Sequence, residues 1–440
     1  MATDLRAFGV EGDGKTDDTA ALQHAIEETA GQIHLPPGQY RITKGLVVNL
    51  AKRGKTEIRG PGARIINEGN GPAILFLGTH AKSADPKGVT AEVWARESTP
   101  LISGIEIAGA APEADGIALN MTWQPTITHV TIHDCRHGIH IFNTNRNIII
   151  SNSHIYHNRG VGIFYDDVNV HQSIINTSHI SYNAGGGIKV LKGNIRNIQI
   201  VGNDIEYNFG EDGVPVGDVW FLAGPIGIRE GTIAGNTIQA KRTADGANVR
   251  IEGIGPECNY KAGLIAITGN LITNQNCNIL LRHARNIAIT GNTMLLGPDR
   301  NIRAVNCDQI AIGSNVIDDI PDYGGSTVGG VELDGCTGSS INGLVLQNAR
   351  HGIQLRRCSE INVTGCIVKE PQGCGVELID TANSRVSDCI VTDKRGKRAM
   401  TVAIHESGKC SRNMILHNRA DGGTIEPSGE GTVCDGNLVT

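Results

Sequence analysis

Lys189, Arg250, Asp166 and His140 are the side chains in this sequence whose types suit removal of a proton from a carbon beside a carboxylate. A lysine whose charge is opposed by a neighbouring cation can supply an amine base, and an arginine, always charged, can grip a carboxylate with two N–H groups. If the substrate is a uronate-containing polysaccharide, Lys189 reads as the base and Arg250 as the neutraliser that β-elimination requires. Asp166 can orient the lysine or, with Asp167 and backbone oxygens, help hold a Ca²⁺ ion. No cofactor is otherwise required. His140 is the fourth catalytic candidate, against the plainer reading of a turn or surface histidine; His283 has the same plain reading. Trp220, Phe164, Glu252, Arg282 and Arg303 are the substrate-binding candidates, offering ring faces for sugars and charges for polar groups.

What must bring these residues together is a repeat. One phrase, an alternating apolar segment closed by Gly or Ser and then Asn, recurs as NIIISNSHI (147–155), NIQIVGNDI (197–205), LIAITGNLI (264–272) and NIAITGNTM (286–294). A second alternating phrase lies between the copies, as in GIHIF (138–142), GIKVL (187–191) and GIQLR (352–356). Period-two alternation punctuated by Gly and Asn is a strand signature. The Asn marker moves 22 residues from 270 to 292 and 23 from 292 to 315. Two or three short strands in that length make one coil of a parallel β-helix, with Ile and Val stacked inside and Asn and Gly at the turns. About a dozen such coils are expected, whereas a propeller would need blades of about 40 residues.

The alternation also assigns sides. With Ile188, Val190, Val219, Phe221, Val249 and Ile251 pointing in, the outward row reads His140, Phe164, Lys189, Trp220, Arg250, Leu280, Arg303, Glu332, Gln354. The next outward position carries Asp166, Glu252, Arg282 and Asp334. Trp220, one of three tryptophans, thus falls between two cations. Two coils are lengthened by insertions, 207–218 in one and 239–248 with 253–263 in the other, which marks the middle of the solenoid as a cleft. The competing reading is a solvated sheet face with Trp220 covered by the first insertion. Lys189 and Arg250, two coils apart, are separated by about 10 Å, room for one bridging sugar. Hydrolysis would need two carboxyl groups about 5–9.5 Å apart. Asp166 and Glu252, three coils apart, are about 14 Å from each other, so a hydrolase would have to recruit the loop acids Glu211, Asp212 or Asp218.

Composition sets the outer limits. The 440 residues carry 57 Gly, 39% hydrophobic and only 4% aromatic residues, and a net charge of −6 without a basic run. The core is therefore expected to be long, thin and aliphatic, and a nucleic-acid surface is disfavoured. No apolar run nears the roughly 18 residues of a membrane span, and the chain opens without an apolar signal region. The eleven cysteines contain no CxxC pair; Cys336 to Cys358 and Cys366 to Cys389 repeat the coil spacing. They read as small buried side chains rather than disulfides or metal ligands.

Ahead of the repeat, Asp17 and Asp18 precede Thr19–Glu28, where an acidic N-cap leads into a helix with Ala21, Leu22, Ala25 and Ile26 on one face. That face can plug the open end of the coil stack. FGVEGDGKTDDTAALQHAI (8–26), followed by LPPGQYRI (35–42), resembles the opening of the pectate-lyase-like right-handed parallel β-helix superfamily, which includes pectate lyases, polygalacturonase relatives, alginate epimerases and phage tailspikes. The match is specific over about the first forty residues and architectural beyond. The expected fold is thus all-β, a right-handed parallel β-helix solenoid with an N-terminal capping helix, organised as cap (1–45), irregular first coils (46–125) and regular coils (126–440). Within it Asp13, Asp17 and Asp18 read as turn and capping residues.

The resemblance implies a carbohydrate partner, a secreted or periplasmic location with a cytoplasmic one left open, and a homotrimer as one available assembly. Polygalacturonase relatives carry Asn-Thr-Asp, Asp-Asp, Gly-His-Gly and Arg-Ile-Lys motifs. This chain has Asp166-Asp167 and Gly-Ile-Lys at 187–189 but lacks the other two. The resemblance to alginate epimerases would place an active-coil Asp on Asp166, yet their Asp-Pro-His motif is missing near His140. The expected activity is a polysaccharide lyase, with a glycoside hydrolase as runner-up and an epimerase or non-catalytic carbohydrate-binding β-helix as further alternatives.

Overall fold

The computed structural model describes residues 5–29, 31–82, 85–210, 214, 216–318 and 329–440. It is a parallel β-solenoid of about 16 turns with few helices. Packing divides the chain into two compact units, residues 1–211 with 216–231, and residues 212–215 with 232–440.

Within each unit the alternation seen in the sequence becomes a vertical stack. In the first unit Ile139 pairs with Ile163 and Ile163 with Ile188. In the second, Val249, Ile279, Ile302, Val331, Ile353, Val376 and Ile404 follow one another in register. All ten side chains are fully buried. Each contributes about 1.5–3 kcal/mol from burial, and β-branched side chains suit the pleated interior. Because like residues meet like residues in consecutive coils, a slip of one position would turn a whole row outward.

The Asn marker does more than serve a turn. Asn270, Asn292 and Asn315 are buried, and the first two side-chain amides each donate to the next coil, Asn270 Nδ2 to Asn292 Oδ1 and Asn292 Nδ2 to Asn315 Oδ1, both at 2.9 Å. Gly269 and Gly291, just before two of these residues, have φ of 65° and 69°, a left-handed bend that glycine adopts without a Cβ penalty. The first unit holds a similar ladder from Asn158 through Asn183 to Asn208.

The helix Thr19–Glu28 buries Leu22, Ala25 and Ile26. Asp18 occupies its N-cap position without a side-chain cap bond. Its buried carboxylate instead accepts from the backbone N–H of Glu11 and Gly12, fixing the preceding turn. Asp17 does the local work, accepting from Thr19 N–H and from the hydroxyls of Thr19 and Thr43. Asp13 closes a turn through the N–H groups of Lys15 and Thr16. The eleven cysteines are free thiols; eight are buried as expected, Cys374 is partly covered, and Cys258 and Cys434 are exposed. Among the described residues no helix is long and apolar enough to cross a membrane.

Candidate functional site

In the first unit the strands Ala114–Asn120, Ile139–Ser151, Val161–Asn176 and Gly186–Val201 lie side by side and parallel. Ala118, His140, Phe164 and Lys189 form one outward row, and Asn120, Phe142, Asp166 and Leu191 the next. His140 sits between two carboxylates. Its Nε2 is 3.2 Å from Asp166 Oδ2 and its Nδ1 is 3.7 Å from Asp115 Oδ2. The Nε2 contact is a hydrogen bond, in which the ring donates to Asp166, whereas Nδ1 lies beyond hydrogen-bond distance of Asp115.

Asp115 is the anchor of this cluster. It is buried, and Arg136 grips it with two N–H groups at 2.8 and 2.6 Å while the backbone N–H of His137 donates to it at 3.1 Å. Burial alone would raise its carboxyl, but the hydrogen bonds from Arg136 and the proximity of His140 outweigh that and hold it well below the usual carboxylate range. His137 Nδ1 accepts from the Val161 N–H, so its Nε2 bears the proton. None of Asp115, Arg136 and His137 was singled out from the sequence. The strand ADGIALN (114–120) repeats the second phrase, but alternation gives Asp115 the inward parity of Ile117 and Leu119, where a charge is not expected.

The remaining first-unit candidates divide. Lys189 Nζ lies 4.1 Å from the ring centroid of Trp220. Val219 and Phe221 on either side are fully buried, which turns the indole to the outer face, where it stays partly exposed. Such a contact is worth about 0.5–1 kcal/mol at a solvated site. Phe164, expected as a sugar platform, is instead only 9% exposed, packed by His137 at 4.8 Å and stacked on His140 at 5.4 Å. Its role is to hold those imidazoles. Asp167, with φ of 41°, bends away from the row and lines a separate cavity of about 370 Å³ together with Lys192, Asn143 and Ile226.

The second unit carries Arg250, Glu252, Arg282 and Arg303 in the expected register: Arg250 beside Leu280 beside Arg303, and Glu252 beside Arg282. Arg250 is not available as a carboxylate grip, however. It is 5% exposed, its guanidinium is hydrogen-bonded to Glu252, and it donates to the Asp245 carbonyl at 2.9 Å. Arg282 pairs with Asp245 at 3.2 Å and Glu252 at 3.5 Å. Arg303 pairs with Glu332 at 2.9 Å and Asp299 at 3.7 Å. Asp245, Asp299, Arg282, Arg303, Leu280 and Cys277 line a cavity of about 410 Å³. Of the loop acids, Asp218 is buried against Asn208, and burial raises its carboxyl well above the ordinary range, so it is unavailable to substrate. Glu211 and Asp212 lie outside the described residues.

Two histidines of the first unit give the fold an acid limit. Burial lowers His137 and His80 from 6.5 to about 4. Both stay neutral in the fold while the unfolded chain takes up protons below about 6.5. Their stabilisation is complete above that pH and disappears as pH falls toward 4, since the unfolded state then binds more protons. For His137, still partly solvated, the loss is on the order of 1–2 kcal/mol. Urea midpoints measured at pH 7 and pH 4.5 should therefore differ, and His137→Gln should narrow the difference.

Two family models match the chain. The right-handed β-helix region covers residues 87–219 and 325–420, more than half of the sequence. The rhamnogalacturonase A/epimerase, pectate-lyase-like family covers residues 2–74. The chain belongs to the right-handed β-helix family. A stretch of 81 residues, 18% of the chain, is 36% identical to alginate lyase 7 of Azotobacter vinelandii and spans 9% of that protein's length. Among solved structures, the Dettilon tailspike protein aligns over 79% of this chain and 67% of its own with a TM-score of 0.60 at 17% identity. The tailspike of E. coli bacteriophage HK620, solved with a pentasaccharide, aligns over 100% of this chain and 80% of its own with a TM-score of 0.51 at 11% identity. These two structural likenesses bear on the fold.

Proposed function

We propose that the first unit binds an acidic polysaccharide across its outward row and cleaves it by β-elimination, with His140 as proton acceptor and Lys189 as the cation that meets the uronate carboxylate. The observation that carries this reading is the imidazole of His140 held between Asp115 and Asp166, with Asp115 itself fixed by Arg136. With Nε2 donating to Asp166, Nδ1 is the nitrogen whose lone pair can take a proton. Lys189, two coils along the same row, is about 10 Å away by strand spacing, within the span of one or two sugar residues. Its position over Trp220 joins a charge for the carboxylate to a ring face for the adjoining sugar.

This reading moves the base from Lys189 to His140 and the neutralising role from Arg250 to Lys189, because Arg250 is committed to Glu252 and Asp245. In the step, His140 takes the proton from the carbon beside the uronate carboxylate. The freed electron pair forms a carbon–carbon double bond, the adjacent carbon–oxygen glycosidic bond breaks, and the departing oxygen takes a proton from the imidazolium or water. The pectate-lyase-like match and the relative named as an alginate lyase agree with this class of substrate. Epimerisation would share the first proton transfer and differ in returning the proton to the other face.

Incubation with a panel of uronate polysaccharides tests the proposal. Elimination predicts ultraviolet absorbance from unsaturated chain ends and products that sum in mass to the polymer. New reducing ends without absorbance would instead mark hydrolysis, and binding without product would mark a carbohydrate-binding protein. Lys189→Ala is expected to raise KM at least about tenfold while kcat falls less, as loss of a substrate-holding charge should. A hydrolase reading has one observation in its favour, the presence of Asp245 and Asp299 in the second unit's cavity. Asp245→Asn should leave the lyase activity intact.

A further inference from the structure

Another outward face of the first unit carries a group that the proposed reaction does not use. The strands His154–Tyr156, His179–Ser181 and Asp204–Glu206 run in register, with His154 beside His179 beside Asp204 and Ser181 beside Glu206. Ile155, Ile180 and Ile205 fill the interior. Alternation therefore sets Asp204 and Glu206 on the outer side of one strand, with His179 one strand over. His179 Nε2 lies 3.3 Å from Glu206 Oε1 and 3.8 Å from Asp204 Oδ2. One donor atom from each of the three residues lies within 4.8 Å of the others. Among the described residues no lysine or arginine nitrogen comes within 4 Å of either carboxylate. Two acids are thus crowded against a single imidazole.

We propose that His179, Asp204 and Glu206 bind a divalent transition-metal ion of the Zn²⁺ class. One imidazole nitrogen and two carboxylate oxygens form a donor set that suits Zn²⁺, with bonds of about 2.0–2.2 Å, whereas Ca²⁺ takes six to eight oxygens. Small side-chain rotations close the observed separations to such bonds. His154, whose ring meets His179 edge-on at 5.8 Å, stands where a rotamer change could add a fourth ligand. The ion would relieve the repulsion between the two acids and tie neighbouring coils across the outer sheet. This site is distinct from the Asp166–Asp167 pair considered above for Ca²⁺.

The test uses full-length, untagged, chelator-treated protein carrying Cys258→Ser and Cys434→Ser, which removes the two exposed thiols. Zn²⁺ is titrated calorimetrically and Co²⁺ by visible absorption. One equivalent should bind, at least about tenfold more weakly in His179→Ala and in the isosteric Glu206→Gln, and excess Ca²⁺ should not displace it. His179 faces solvent, so its loss leaves the interior intact, which a melting curve verifies. No uptake by the parent protein, or unchanged affinity in either variant, overturns the proposal.

Discussion

His140→Ala should lower the elimination rate by about 10²–10⁴-fold, the usual contribution of a positioned general base. The loss should appear in kcat, with a smaller effect on melting temperature, because His140 stands on the outer row and its packing partners are Phe164 and Asp115 rather than the aliphatic stack. Asp115→Asn should give a smaller fall together with a displaced pH–rate profile, since the amide would keep the shape but remove the charge that faces His140 Nδ1 at 3.7 Å. A His140→Ala enzyme that retained its turnover would remove the imidazole from the chemistry altogether.

The largest stability effect is expected at Asn292. Its Oδ1 accepts from the backbone N–H of Asn270 at 3.0 Å and the side chain of Asn270 at 2.9 Å. Its Nδ2 donates to the Ile267 carbonyl at 3.0 Å and to Asn315 Oδ1 at 2.9 Å. Asn292→Ala leaves these buried partners facing a void that is too apolar to replace the lost amide. With about 1–3 kcal/mol for each buried group left unsatisfied, a loss of about 3–5 kcal/mol is expected. Urea unfolding followed by circular dichroism measures it. Thr293→Ala, one residue further and exposed, should stay within about 0.5 kcal/mol of the parent.

The solenoid was legible because its interior obeys one rule many times over. Alternation placed Ile188, Val219, Phe221, Val249 and Ile251 inside, and all are fully buried. The same rule put His140, Phe164, Lys189, Trp220, Arg250, Leu280 and Arg303 in a single outward row; strand pairing sets His140 beside Phe164 beside Lys189 within the first unit, and Arg250 beside Leu280 beside Arg303 within the second. It could not say which outward residues are covered. Arg250 and Leu280 face away from the coil interior and are nonetheless buried, because neighbouring side chains close over them; Asp245 and Glu252 do this for Arg250. Asp115 escaped notice for the opposite reason. Its parity points inward, but at the start of its strand the carboxylate meets Arg136, His137 and His140 instead of the aliphatic stack. Contacts set by the bend between strands do not follow a period-two pattern.

The ladder of Asn270, Asn292 and Asn315 also restricts how such a chain can change length. Within the run Asn270, Asn292, Asn315 each amide meets another in the adjoining layer, so an insertion or deletion confined to a loop leaves the run alone, and one equal to a complete layer passes the amide chain on intact. A change of any other size within a strand of this run would take the amide out of its row, and one of an odd number of residues would also reverse the facing of every residue up to the next bend. Descendants of this sequence should therefore differ in length by loop excursions or by whole layers, with few intermediate sizes.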